Sequence, residues 1–279
     1  MKQKVSASAM TWVPVGELAE NFVMKRKESN TPVPNSDLVG KNVRLYLENG
    51  RLIELRFQAT RRLLASLGAS AEQKRWTVVE YLATLVRDGV YFVDFIWHRP
   101  LAESYTIVLD TKAGIFTAVT GRLPTRSEAS EGLLSRAATG KELTGVLANI
   151  SNGSIDKPFD EARTPRHKVT DELLGKRAEY SYTATQKYQH IYLTEKLYTW
   201  HCIAGVEKGL ADTDLCHYYK LASNLYLFVW QEKIIPTLGI KVVDFETGKA
   251  HGKLFGYKGN DFGKLSNTRF VERVSLLSP

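Results

Sequence analysis

The 279-residue sequence predicts a mainly β protein whose antiparallel strands close into barrels, built from an internal duplication with few short helices. Two observations carry that prediction. First, short signals recur in order. Leu38-Val39-Gly40-Lys41 returns as Leu173-Leu174-Gly175-Lys176, and IVLDTKAG (Ile107–Gly114) returns as KVVDFETG (Lys241–Gly248) at nearly the same offset. Between them, YFVDFIWHRP and LYLFVWQEKIIP each run an aromatic strand with one Trp, a polar step and a Pro. Second, alternating runs are joined by short turns. Asn49-Gly50 sits between two such runs in NVRLYLENGRLIELRF (Asn42–Phe57), the strongest short hairpin signal. Thr247-Gly248 plays the same part in the second half. Meanders of this kind lose their exposed edges by closing.

The elements follow in order. Residues 10–125 form a first β half. Residues 126–168 form a helical and linker segment, with two short helices expected in SEASEGLLSRAATGKELTGVLANI (Ser127–Ile150). The stretch SNGSIDKPFDEARTPRHK, rich in Gly, Pro and charge, reads as the connection between halves. Residues 169–279 form the second β half. The sequence leaves open whether the halves make two barrels or share one.

Composition narrows the function classes. With 43% hydrophobic and 24% charged residues the chain is globular. No apolar run reaches the roughly 18 residues of a membrane helix, and the first residues lack a signal-peptide core. A cytoplasmic protein with no membrane partner is therefore expected, and its two cysteines are expected as free thiols. The formal charge is +8, but basic residues are interspersed with acids. The densest basic runs are Met24–Lys27 and Thr60–Arg62. A solvated basic surface is the simpler reading, and nucleic acid is not the expected partner.

The stretch YTWHCIAGVEKGLADTDLCHYYK (Tyr198–Lys220) holds both cysteines, each beside a histidine. A zinc site needs about four converging ligands. In a hairpin centred near Gly209, Cys202 would face Cys216 and His201 would face His217. Neighbours on a strand point to opposite faces, so the cysteines and histidines separate and no metal is expected. The same alternation gathers Tyr198, Trp200, Cys202, Cys216 and Tyr218 on one face. In the next strand Tyr226, Phe228, Trp230 and Glu232 share a face. Buried Tyr and Trp need partners for their polar ends, which suits a ligand cavity. Nine of the thirteen tyrosines lie beyond Gly175, so the second half is the expected binding half.

YTWHCIAGVEKGLADTDLCHYYK, LYLFVWQEKIIPTLGIKVVD and GKLFGYKGNDFGK resemble the C-terminal part of the MoaF family, named for molybdenum cofactor biosynthesis protein F. DLVGKNVRLYLENGRLIELRF is similar to that family's N-terminal domain. The resemblance covers most of the chain beyond the first ten residues and the linker. It implies lipocalin-like (calycin) β-barrels. Related calycin barrels bind small apolar ligands or perform cofactor-free acid–base chemistry, as phenolic acid decarboxylases do. The family name does not imply molybdenum-cofactor chemistry here, because no iron–sulfur, pterin or nucleotide motif is present, and no cofactor is expected.

Glu232 closes its strand beside Trp230. A carboxylate against an aromatic wall has its charged form desolvated, which suits a general acid or base. Glu207, Asp212 and Asp214 are placed by the hairpin reading in the tip joining the two cysteine strands, the resemblance favours them, and Glu207 is expected to share the proton transfer with Glu232. Tyr198 is a candidate hydrogen-bond donor. Expected substrate contacts are Trp200, Cys202, Cys216, Tyr218, Tyr226, Trp230 and Asp214. In the first half Asp94 interrupts an apolar strand and must be paired, with Arg56 a candidate partner. The leading expectation is a cofactor-independent isomerase, cyclase or lyase acting on a small aromatic or apolar metabolite. The alternatives are a non-catalytic carrier barrel and a basic-surface interaction module. A homo-oligomer is compatible with either.

Overall fold

The computed structural model describes residue 12 and residues 32–68, 75–98, 103–258 and 261–277; the basic run Met24–Lys27 lies outside them. Eight antiparallel strands form the first barrel: β1 (Asn42–Leu47), β2 (Leu52–Ala59), β3 (Arg62–Ser66), β4 (Thr77–Arg87), β5 (Val90–Trp97), β6 (Glu103–Asp110), β7 (Ile115–Arg122) and β8 (Leu147–Ile155). Each pairs with the next, and β1 pairs with β8 to close the ring, Leu45 facing Ile155. Between β7 and β8 lie two short helices, α1 (Arg126–Ala129) and α2 (Leu133–Ala138). Thr125 opens α1 with a reciprocal capping box to Glu128.

A two-residue strand β9 (Lys168–Val169) leads into the second barrel: β10 (Arg177–Ser181), β11 (Lys187–Tyr192), β12 (Leu197–Ala204), β13 (Ala211–Ala222), β14 (Leu225–Glu232), β15 (Thr237–Asp244), β16 (Lys249–Lys258) and β17 (Asp261–Leu277). This ring closes through β10 and β17, Tyr180 facing Val274, while β9 adds to β13 at Tyr219. The halves therefore make two barrels.

The duplication extends to individual hydrogen bonds. Gly40 N–H donates to the Phe57 carbonyl (2.7 Å) and Phe57 N–H to Lys41 (3.0 Å). In the second half Gly175 N–H donates to Tyr192 (2.8 Å) and Tyr192 N–H to Lys176 (3.1 Å). Asp110 and Asp244 likewise each accept two backbone N–H groups in the turn that follows their strand.

One expectation is corrected. The start of the polar stretch read as the connection between halves, together with the end of the segment expected to hold helices, supplies β8, the strand that closes the first barrel. Its composition has a steric cause. A Cβ on Gly153 would lie 2.2 Å from the Tyr46 carbonyl oxygen and 2.5 Å from the Phe116 ring, so the seam admits glycine.

The barrels pack back to back. Alternation sends Tyr91, Val93 and Phe95 of β5 into the first barrel, and Val90 and Phe92 outward into a separate apolar layer. Leu225, Leu227 and Val229 of β14 and Leu238, Ile240 and Val242 of β15 meet them from the second barrel. This layer explains why these strands read as continuously apolar: both faces are buried. Asp94 lies in it and is paired, though not with Arg56. It accepts from Lys253 Nζ (2.5 Å), Arg269 Nε (2.6 Å), Asn267 Nδ2 (2.7 Å) and Thr106 Oγ1 (3.2 Å). Arg56 stacks over the Trp76 ring instead.

Candidate functional site in the second barrel

Inward positions of the second barrel carry the aromatic residues. Tyr198, Trp200 and Cys202 of β12, Asp214, Cys216 and Tyr218 of β13, and Tyr226, Phe228 and Trp230 of β14 are all buried. The face assignment holds, but the register differs from the hairpin expected around Gly209. Tyr198 faces Asp214 and Trp200 faces Asp212, while Cys216 faces Trp230 on β14. Cys202 is tied to the turn through its N–H to Leu210 and its carbonyl to Gly209. The shift is an even number of residues, so no side chain changes face. It moves Asp212 and Asp214 out of the tip and onto β13, opposite the aromatic residues of β12.

The thiols are therefore separate. Cys202 Sγ donates to the Ala204 carbonyl and Cys216 Sγ to Tyr218 Oη. Burial pushes the Cys216 thiol up to about 12. Both thiols are expected to resist a thiol reagent such as DTNB in the native protein and to react fully once it unfolds. Fast native labelling of either would contradict this placement.

Three carboxyl groups gather at the end of the barrel bearing the β12–β13 and β14–β15 turns. Glu207, in the first of these turns, is buried and accepts from Tyr188 Oη (2.9 Å). Asp214 accepts from Trp200 Nε1 (3.0 Å) and from the Lys233 N–H (3.1 Å), with Lys233 Nζ at 3.4 Å. Lys233 also pairs with Asp212. Glu232 accepts from Trp230 Nε1 (2.9 Å). Burial drives the Glu232 carboxyl well above the usual range, and the charges of Asp214 and Glu207 push the same way, against the Trp230 hydrogen bond. Burial also raises Asp214, but the Lys233 ammonium opposes it. Glu232 thus holds its proton the more tightly of the two, and Asp214 is the better able to carry charge. Trp12 meets this end from outside, edge-on to Trp200 at 5.7 Å.

The middle of the barrel is a packed aromatic layer around His190, whose ring lies 4.4 Å from Tyr180, 5.0 Å from Tyr198 and 6.0 Å from Trp230. His190 Nδ1 is buried without a hydrogen-bond partner. Burial, reinforced by the Lys241 charge, holds its imidazole well below its ordinary value and neutral. Lys241 reaches into the same layer from β15, bonded to Glu272 (2.6 Å).

Tyr198, Trp200, Cys202, Glu207, Asp214, Trp230 and Glu232 therefore gather toward one end, with Cys216 beside Trp230. Tyr218 stacks on Phe228 deeper in the barrel. Tyr226 is not brought to the others. Four residues before Trp230, about 13 Å along the strand, it bonds Glu172 (2.7 Å), which also pairs with Lys220. Sequence reasoning missed Tyr188, His190, Lys241 and Glu272. A charged residue inside GIKVVD, and the alternation of KYQHIY with His190 in phase with Tyr188 and Tyr192, were the available signals.

Comparison with known proteins places these barrels. The MoaF N-terminal domain matches residues 10–125 and the MoaF C-terminal domain residues 167–279. “Protein MoaF” of Klebsiella aerogenes is 35% identical over 260 residues, covering 93% of each chain. A solved structure, “Crystal Structure of a putative beta-lactamase from Burkholderia vietnamiensis”, is 14% identical and overlaps 39% of this chain and 100% of its own, with a TM-score of 0.33. That likeness is too slight to carry an argument.

Proposed function

The chain belongs to the MoaF family, and from the chemistry of its second barrel we propose that it takes up a small aromatic or apolar molecule there and performs a cofactor-free proton transfer on it. The observation that carries the reading is Glu232. Its carboxyl, bonded to Trp230 and raised by burial, stands beside the Asp214 carboxyl held by Trp200 and Lys233, an arrangement suited to an acid and a base with separated affinities for the proton. Such a pair serves an isomerisation, a cyclisation or a lyase step, in which one group donates a proton while another accepts one.

In this reading Glu232 donates and Asp214 accepts. Trp200, Trp230 and Tyr198 form the apolar walls, and Cys202 and Cys216 add small soft surface between them. Glu207 orients Tyr188, whose hydroxyl it already binds. Tyr226 has no part, being engaged with Glu172. A carrier barrel would share the walls but show no turnover, so a pH–rate profile separates the two.

Calorimetric titration with benzyl alcohol, a neutral aromatic probe, tests the binding half of the proposal. Saturable binding weakened in a Trp200→Ala variant is the expected result. A truncated aromatic anchor in a desolvated pocket costs about 2 kcal/mol or more, roughly thirtyfold in Kd. No saturable heat, or binding indifferent to Trp200, would contradict it.

A further inference from the structure

The second barrel holds a buried amine that proton transfer between Glu232 and Asp214 does not use. Among the described residues two lysines are fully buried, Lys241 and Lys253. Lys253 has a structural explanation. It lies between the barrels with Arg269, and the two cations share Asp94. Burial pushes that carboxyl up, but both charges outweigh it and hold Asp94 below its ordinary value, so the group is fully ionised.

Lys241 has no such task. It lies on the inward face of β15, between the outward residues Ile240 and Val242. Its partner Glu272 is on β17, already joined to β15 through β16, so the contact adds no link between the barrels. The intervening residue is Gly252. A Cβ there would lie 2.7 Å from Lys241 Cβ and 2.9 Å from the Phe270 ring, so glycine clears the way for the lysine. Lys241 Nζ lies 3.6 Å over the Tyr180 ring, 5.0 Å from the Trp230 ring centroid and 3.3 Å from Tyr182 Oη. Trp230 in turn donates to Glu232. The indole thus stands between a buried amine and a protonated carboxyl.

We infer that Lys241 is a nucleophilic amine that forms an imine with a carbonyl-bearing aromatic ligand of the second barrel. The inference rests on the proposed small-molecule site and names its substrate class as an aldehyde or ketone. A buried lysine beside a carboxyl in an apolar setting is suited to this chemistry, because the neutral amine is the less costly form to bury. Burial lowers the Lys241 affinity for its proton, and burial raises Glu272 to about 7 against the opposing ammonium. Transfer of one proton from Lys241 to Glu272 yields the free amine and a carboxylic acid.

The step balances without a further reagent. The Nζ lone pair attacks the carbonyl carbon, the C=O π pair moves to oxygen, and the nitrogen passes a proton to that oxygen. Glu272 then protonates the carbinolamine hydroxyl, which leaves as water as the C–N double bond forms. The lysine ammonium and the carbonyl compound thus become a protonated imine and one water, with Glu272 returned as carboxylate. The protonated imine is an electron sink, which acidifies the adjacent carbon for the acid–base step assigned to Glu232 and Asp214.

Reductive trapping tests this on the full-length protein. Limiting benzaldehyde with sodium cyanoborohydride leaves a benzyl group on any lysine that forms an imine, and peptide mass mapping locates it. Lys241 is expected to label faster than the exposed Lys196 and Lys208, since burial lowers its affinity for the proton and leaves more of it as free amine. Glu272→Gln should slow labelling of Lys241 alone, and Lys241→Arg should remove the site. Labelled surface lysines with an unlabelled Lys241 overturn the inference. If benzyl alcohol still binds in that case, the imine fails and the proposed site stands. If it does not, both fail.

Discussion

Replacing Asp94 by Ala is expected to destabilise the protein by about 3–5 kcal/mol, the cost of breaking a buried ion pair from one side. The carboxylate accepts hydrogen bonds from Lys253, Arg269, Asn267 and Thr106, and its side chain is fully buried. Without it, Lys253 is left with no counter-ion in a largely apolar layer between the barrels. Three of the four donors come from the second barrel, so the loss falls on the contact between barrels. Urea unfolding followed by far-UV circular dichroism measures the change. Pairing Asp94→Leu with Lys253→Met should recover part of it, because the fully buried cation goes with its counter-ion and only the partly exposed Arg269 is left unpaired. The pH dependence has a definite sign. A carboxyl held below its unfolded value adds stability above that value, near 3.9, and loses it as pH falls through the folded one. The variant and wild type should therefore converge in strong acid. A loss below about 1 kcal/mol at neutral pH, the range of a surface pair, would contradict the burial described.

The second large effect is at Glu232. Glu232→Gln is expected to lower turnover by about 10²–10⁴-fold, the range for loss of a positioned general acid, while the barrel still binds its ligand. Stability should move the opposite way. A partly buried Glu whose proton is held above its ordinary range binds more protons folded than unfolded once pH passes its unfolded value, near 4.3. Wild-type stability therefore falls as pH rises from there to the folded value. Gln lacks that penalty, so the variant should gain on wild type between pH 5 and pH 8. Equal stability difference at both pH values would mean that Glu232 titrates as an ordinary surface carboxyl.

Much of the architecture was legible because the repeated motifs mark equivalent turns. Leu38–Lys41 and Leu173–Lys176 enter β1 and β10 with matching hydrogen bonds, so a short match in sequence stood for a whole repeated meander. Face assignments in β12, β13 and β14 survived a register error because strand periodicity is two and the error was even. The register itself depends on how residues 203–210 turn. There Glu207 is drawn inward by Tyr188, a contact made across β11 and invisible locally. The strand β8 was hidden because its Gly, Ser and Asn, which imitate a loop, answer to crowding by Tyr46 and Phe116 from distant strands. Partners of buried charges were the least legible. Asp94 is paired from the other half of the chain, and Lys241 with Glu272 from a strand two places away in the sheet.

The proposed acid–base role requires that the second barrel keep Glu232 protonated at neutral pH. Carbon-13 NMR of the protein labelled at glutamate side-chain carboxyls, titrated from pH 4 to pH 9 and compared with Glu232→Gln, measures this directly. One carboxyl resonance should stay in its protonated position well above the ordinary Glu range and vanish in the variant. If the resonance lost in the variant instead titrates near the ordinary value of about 4.3, the acid–base role for this barrel is contradicted.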